Sequence, residues 1–355
     1  MRVYNFSAGP SMLPLEVLEQ VKNDFTDYNG TGMSVCEMSH RSKPYEEIHN
    51  ESISLLRELM GISDDYHVLY LQGGATMQFE AVPLNLLKTG KADYIVTGNF
   101  SNSAYKQAKK FGDIRLAASS EDKNFTYIPK DVELRDDIDY VHITSNNTIF
   151  GTHYTKLPKT KAPIACDMSS NILGERYNVN DFGLIYAGAQ KNISASGLTV
   201  VIVRKDLAET ATDACPNILK YATQANANSL FNTPTTFSIY VSMLVFRWLK
   251  KLGGIDAIQK INTEKANMLY DFIDNSALYK NNVNKENRSI MNVPFVTGDA
   301  DLDAKFVKEA AASGLVSLKG HRLVGGMRAS IYNAMPIEGV KTLIEFMKKF
   351  ETENK

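Results

Sequence analysis

The sequence predicts an α/β fold in which a mostly parallel, helix-covered sheet is followed by a smaller α+β unit. Three observations predict it. Apolar, strand-like runs alternate with helix-like segments through the first two-thirds of the chain, a pattern that places helices on both faces of a parallel sheet. After residue 254 the alternation gives way to fewer strands and amphipathic helices. The 355 residues suffice for one large domain and a smaller one.

Taken in order, the N-terminal dozen residues hold two prolines and look too irregular for the main sheet. "YHVLYL" (66–71) reads as a buried strand, and "GATMQFEAVPLNLL" (74–87) as a helix with Pro83 as a kink. "DYIVTG" (93–98) is a strand. "SNSAYKQAKKFG" (101–112) is a helix capped by Ser101 and closed by Gly112. Further strands are "YVHIT" (140–144), "APIACD" (162–167), "FGLIYAG" (182–188) and "LTVVIVR" (198–204). A long helix with a glycine stop covers 235–254. In the last hundred residues, 289–296 and 327–332 read as strands, and 301–314 and 337–351 as helices.

Composition narrows the function. A formal net charge of −1 gives no basic surface for nucleic acid. No apolar run reaches the length of a membrane span, and "MRVYNFSAGPSMLP" lacks the apolar core of a signal peptide, so a cytoplasmic protein is expected. Cys36, Cys166 and Cys215 are scattered and odd in number, without metal-ligand spacing or a disulfide framework.

One lysine sits in an unusual setting. In "YAGAQKNISASGLTVVIV" (186–203), Lys191 lies among residues too small to cover it. A surface turn accounts for this, and so does a reactive amine whose pKa falls in a tight pocket. Other polar residues fall at strand ends, where sites of parallel sheets lie. Gly73-Gly74 and Thr76 stand where a strand meets a helix, a place suited to phosphate. Asp167 and Thr148 follow strands, and Phe100 puts a flat ring at another strand end. Two His-Arg pairs, His40-Arg41 and His321-Arg322, with Arg328 nearby, fit a small substrate with two anionic ends. Singly, each of these has a structural explanation: a turn, a cap, a packing ring or a surface ion pair.

Together they carry a resemblance. "FSAGPSMLP", "SHRSKPYEEI", "QFEAVPLNLL", "AGAQKNISASGLTVVIVR", "FNTPTTFSIY" and "KGHRLVGGMRASIYNAMP" resemble the phosphoserine aminotransferases from residue 5 to the last helix. The resemblance implies an aspartate-aminotransferase-like (type I) PLP-dependent transferase fold, pyridoxal 5'-phosphate as cofactor and a homodimer. It implies a large domain over 15–255 and a small one made of 1–14 and 256–355. By the same resemblance, Lys191 carries the cofactor, Asp167 meets its ring nitrogen, Phe100 stacks on the ring and Thr148 bonds its hydroxyl. Ala75, Thr76 and Gln190 bind its phosphate, and Asn232 and Thr233 reach that phosphate from the other subunit. Arg328 with His40 takes the α-carboxylate; Arg41, His321 and Arg322 take the distal anion. Many relatives have Trp where this chain has Phe100, and some have Arg where it has Thr76.

The implied reaction moves an amino group between L-glutamate and 3-phosphohydroxypyruvate, giving O-phospho-L-serine and 2-oxoglutarate. The four-carbon phosphate ester of pyridoxal-phosphate synthesis is an added substrate of the family. A serine–glyoxylate transaminase, a cysteine desulfurase and a non-catalytic phosphate-binding protein are the alternatives. The desulfurase needs a cysteine in a mobile loop, and Cys166 falls in a strand.

Overall fold

The computed structural model describes residues 2–354. The chain opens with β1 (Tyr4–Asn5), α1 (Leu15–Asp24) and α2 (Lys43–Met60). Then come β2 (Tyr66–Leu71), α3 (Gly74–Leu86), β3 (Lys91–Val96), α4 (Asn99–Ala108) and β4 (Asp113–Ser119). β5 (Tyr140–Thr144) leads to the short antiparallel pair β6 (Asn146–Asn147) and β7 (Thr152–His153), then to β8 (Ile164–Asp167), β9 (Leu184–Gly188) and β10 (Thr199–Arg204). Helices α5 (Lys205–Ala208), α6 (Tyr221–Asn226), α7 (Thr236–Lys251) and α8 (Gly254–Asn275) follow. The chain ends with β11 (Asn292–Phe295), α9 (Ala300–Ala312), β12 (Leu315–Val316), β13 (Met327–Ser330) and α10 (Ile337–Glu353).

Seven strands form the main sheet in the order β2-β10-β9-β8-β5-β3-β4. All run one way except β10, which is antiparallel to both β9 and β2. The central strands β5, β8 and β9 are buried along their whole length because both sheet faces are covered. Neighbouring residues therefore enter different cores. Cys166 and Ile185 pack with Leu56 of α2 and Leu244 of α7 on one face. Ala165 and Leu184 pack with Phe79 of α3 and Ala104 of α4 on the other. A third core joins Phe6 and Met12 to Leu269, Val293, Phe306 and Leu343. The N-terminal residues thus stay out of the main sheet, and β1 pairs with β12 instead. Helix α8 serves two cores: Ile255 and Ile258 join the first, Ala266 and Leu269 the third.

Several expectations need correction. Helix α4 begins at Asn99, not Ser101, and Gly98 is its cap. Ser101 Oγ instead accepts hydrogen bonds from the amides of Thr97 (2.9 Å) and Gly98 (3.0 Å), which precede the helix. The helix ends at Ala108; Gly112 belongs to a later turn, where any Cβ would strike Gly90 O. The long helix at 235–254 ends at Lys251. There Gly253 and Gly254, with φ of 106° and 76°, redirect the chain into α8, which the sequence reading did not anticipate. The strands predicted at 289–296 and 327–332 shorten to β11 and β13. Strand β4 was also missed. It is an edge strand with only Ile114 fully buried, so its sequence lacks an apolar run.

Candidate active site

The carboxyl ends of β2, β3, β5, β8 and β9 open onto one cavity of about 310 Å³. Its walls bring together Ala75, Thr76, Phe100, Thr148, Asp167, Gln190, Lys191, His321 and Arg328. Nine residues drawn from stretches as distant as 75 and 328 thus meet in one place.

Lys191 follows β9 in the loop leading to β10. Its backbone is pinned: Ser11 Oγ donates to Lys191 O at 2.5 Å, and Ser11 N to Gln190 O at 3.0 Å. Gly9 lies close enough that a Cβ there would sit 3.4 Å from Lys191 Cγ, and its φ of 146° is one that side chains rarely adopt. The ammonium donates to Thr148 Oγ1 at 2.7 Å and lies 5.6 Å from the centre of the Phe100 ring. Burial pushes the Lys191 ammonium down to about 8; Arg328 acts the same way, and Asp167 opposes it. Burial raises the Asp167 carboxyl, while hydrogen bonds from Ser169 and the charge of Lys191 hold it back. Ser169 N donates to Asp167 Oδ1 at 2.9 Å.

Opposite these groups, Gly73 ends the β2 turn with φ 84°, and α3 starts at Gly74. The first amides of a helix have no intrahelical partner, so Gly74, Ala75 and Thr76 offer donors at the positive end of the helix dipole. Arg328 comes from β13. Its Nη1 reaches Thr148 O at 3.4 Å, and its buried Nε has no partner among the described residues. Burial lowers the Arg328 pKa, so an anion in the cavity would restore what the guanidinium lost with water.

Five anticipated residues do not line the cavity: His40, Arg41, Asn232, Thr233 and Arg322. Arg41, Asn232, Thr233 and Arg322 are exposed, and His40 is half-buried. Gln72 Nε2 bonds Thr233 O at 2.7 Å, which fixes the 232–233 turn beside β2 rather than over the pocket. Conversely, Ala8, Gly9, Thr144, Asn146, Ser169 and Ser170 line the cavity without having been singled out. "ACDMSSN" and "FSAGPSMLP" contain four of these six, but small polar residues at strand ends look like ordinary turns.

Comparison with known proteins decides the family. The family model described as Aminotransferase class-V matches residues 3–343. A phosphoserine aminotransferase of Bacillus cereus is 55% identical over 358 residues, covering 100% of this chain and 99% of its own. The chain belongs to the phosphoserine aminotransferase family. Among solved structures, the phosphoserine aminotransferase from Bacillus circulans subsp. alkalophilus superposes with a TM-score of 0.97 at 46% identity, covering 100% of this chain and 99% of that one. The PLP-bound phosphoserine aminotransferase from Trichomonas vaginalis gives 0.94 at 37% identity, covering 98% and 100%. The type I fold expected from the sequence is that of the family. The phosphoserine aminotransferase fold also accounts for the single reversed strand, because β10 runs back from the site and places the Lys191 loop at the carboxyl end of the sheet.

Proposed function

We propose that this chain transfers an amino group from L-glutamate to 3-phosphohydroxypyruvate, forming O-phospho-L-serine and 2-oxoglutarate, with pyridoxal 5'-phosphate as cofactor. The observation that carries this reading is the meeting of Lys191, Asp167 and Arg328 around one cavity whose far wall is a helix N-terminus.

The residues fit the cofactor. A buried carboxylate whose only nearby cation among the described residues is a covalent-bond-forming lysine needs a second positive partner, and a protonated pyridine nitrogen is one. The free amides of α3, with Gly74, Ala75 and Thr76, suit the phosphate, and Gln190 adds an amide side chain. Phe100 offers its face to the ring. When bound, pyridoxal phosphate supplies the sink for the electron pair released at the substrate Cα. Asp167 holds the proton on the ring nitrogen. Lys191 Nζ, its pKa pushed down to about 8 by burial, would take the proton from the substrate Cα and return it on the other side of the exchange. Arg328 binds the α-carboxylate common to all four substrates, and His321 begins the site for the distal anion.

His40 joins Arg328 at the α-carboxylate, while Asn232, Thr233 and part of the distal-anion set of Arg41, His321 and Arg322 complete this arrangement across a homodimer interface. The exposure of Arg41, Arg322, Asn232 and Thr233 in the single chain supports that reading. We also assign the large domain to 15–255 and the small one to 1–14 with 256–355, α8 bridging the two. The soluble reaction fits a cytoplasmic enzyme, and no helix among the described residues is long and apolar enough to cross a membrane.

The test is a screen of amino acceptors with L-glutamate as donor, pairing phosphorylated keto acids with their unphosphorylated counterparts. Phosphorylated acceptors are expected to react at least tenfold faster, since a charged hydrogen bond is worth about 1.5–3 kcal/mol. Equal rates would refute the phosphate assignment.

A further inference from the structure

Lys265 stands apart from the site just described. It lies on α8, is fully buried, and no acidic side chain pairs with it among the described residues. Its ammonium instead donates to three backbone carbonyls: Ile331 O at 2.9 Å, Tyr332 O at 2.8 Å and Met335 O at 2.9 Å. An ammonium has three donors, so all are used. Burial pushes this group down to about 7. The three carbonyls pull the other way, because hydrogen bonds to the charged form favour it. An uncharged side chain would fill the space at less desolvation cost, but it would leave the inward-facing carbonyls of Ile331 and Met335 unpaired and Tyr332 O with only the amide of Met335, at 3.0 Å.

The turn so held touches both sides of Lys191. Asn333 N donates to Asn192 Oδ1 at 3.0 Å, next to the reactive lysine. Asn192 Nδ2 in turn bonds Ile172 O at 3.1 Å. Tyr332 OH donates to Ala8 O at 2.8 Å, next to the glycine that packs on the Lys191 side chain. Asn262, one turn before Lys265 on α8, braces the same segment by donating to Asn333 Oδ1 at 2.8 Å and to Gly174 O at 2.9 Å. Arg328, by contrast, is held from another side: its amide donates to Leu318 O at 2.8 Å, and it faces Pro294 in the pairing of β13 with β11.

We propose that Lys265 is a positioning residue: its ammonium, enclosed by three carbonyls, fixes the 331–335 turn, and that turn sets the position of the Lys191 loop through Asn192 and of the Ala8–Gly9 backbone through Tyr332. Because Arg328 is anchored separately, the effect falls on turnover rather than on substrate affinity. The inference rests on the reading of Lys191 as the reactive amine.

The experiment compares wild type with Lys265→Met, and Lys265→Ala with and without n-propylammonium, which replaces the missing side-chain atoms. Hydrogen exchange is followed in the cofactor-free protein, and phosphoserine kinetics in the holoenzyme. Lys265→Met is expected to speed amide exchange in 331–335 and around residue 192 by at least about tenfold. It is expected to lower kcat by about tenfold with KM within roughly twofold. In Lys265→Ala, n-propylammonium restores protection and kcat together, whereas n-propanol does not. Should Lys265→Met fail to fold, Lys265→Ala refolded with the amine and then dialysed gives the same comparison. Unchanged exchange and kcat, or equal rescue by n-propanol, would overturn the assignment. The exchange arm needs no cofactor, so it stands or falls apart from the role of Lys191.

Discussion

Lys191 combines a buried ammonium with a hydroxyl partner, and the consequence is a rate that depends on pH. Burial disfavours the charged form and brings the pKa to about 8, so the neutral amine grows as pH rises through that value. Capture of pyridoxal phosphate by the cofactor-free chain is therefore expected to accelerate from pH 6 to about 8 and to level off above it. Stopped-flow absorbance checks this; a rate still climbing in proportion to hydroxide at pH 10 would mean an ordinary surface lysine. Lys191→Ala should abolish transamination while leaving the circular dichroism spectrum unchanged. Asp167 makes a separate claim. It lies 5% exposed at the end of β8 with Ser169 as its hydrogen-bond donor, so Asp167→Asn keeps the shape and removes the charge. Turnover should fall by about 10²–10⁴-fold with cofactor retained, as for other charge-stabilising groups. Near-normal turnover in the asparagine variant would reduce Asp167 to a turn former.

Among the elements, the first turn of α3 is the most exposed to a single change. Gly73 has φ 84°, and an added Cβ would sit 2.7 Å from Met77 Cβ. Gly73→Ala must therefore shift the helix start that presents the amides of Gly74, Ala75 and Thr76. A left-handed alanine costs about 1–2 kcal/mol, and the distortion should weaken pyridoxal phosphate binding by at least tenfold, measurable by dialysis and reconstitution. Unaltered affinity would show that the helix start does not hold the phosphate. This turn was legible beforehand because two glycines after an apolar run have few other uses. Strands β5, β8, β9 and β10 were legible for the same kind of reason: both faces are buried, so the apolar runs are continuous. Edge strand β4 carried no such signal, since only Ile114 of its residues is buried. Helix α8 was obscured because Gly253-Gly254 reads as a stop when it is also a start. Within the site, residues with distinctive chemistry could be found from sequence. Gly9, Ser169 and Tyr332, which only position others, could not, because their roles depend on tertiary approach.

The molecule as a whole leaves Asn232, Thr233 and Arg41 exposed, together with apolar Met33, Met77 and Phe231, each of these three more than 40% exposed. The proposed second copy of the chain would, by covering this surface, account for both the missing ligands and the uncovered apolar side chains. Shared sites make a distinctive prediction. When Lys191→Ala chains are mixed and refolded with chains carrying Asn232→Ala and Thr233→Ala, each mixed dimer has one site with both defects and one with neither. Random pairing then restores roughly a quarter of wild-type activity. Recovery of none, with mixed dimers verified by mass spectrometry, would show that each chain builds its site alone.

The seating of Ala8 and Gly9 against Lys191 has a further consequence, for the order of events during synthesis. Strand β1 leaves the ribosome before every other described strand, yet its partner is Leu315–Val316, which emerges after the whole main sheet. The Tyr332 hydroxyl that holds Ala8 emerges later still. The large sheet is complete once β10 has been made, so its core can form while translation continues, but the wall behind the reactive lysine cannot. A nascent chain therefore carries Lys191 on a finished scaffold with one side of its pocket missing, and the pocket closes only after the last strand has been released.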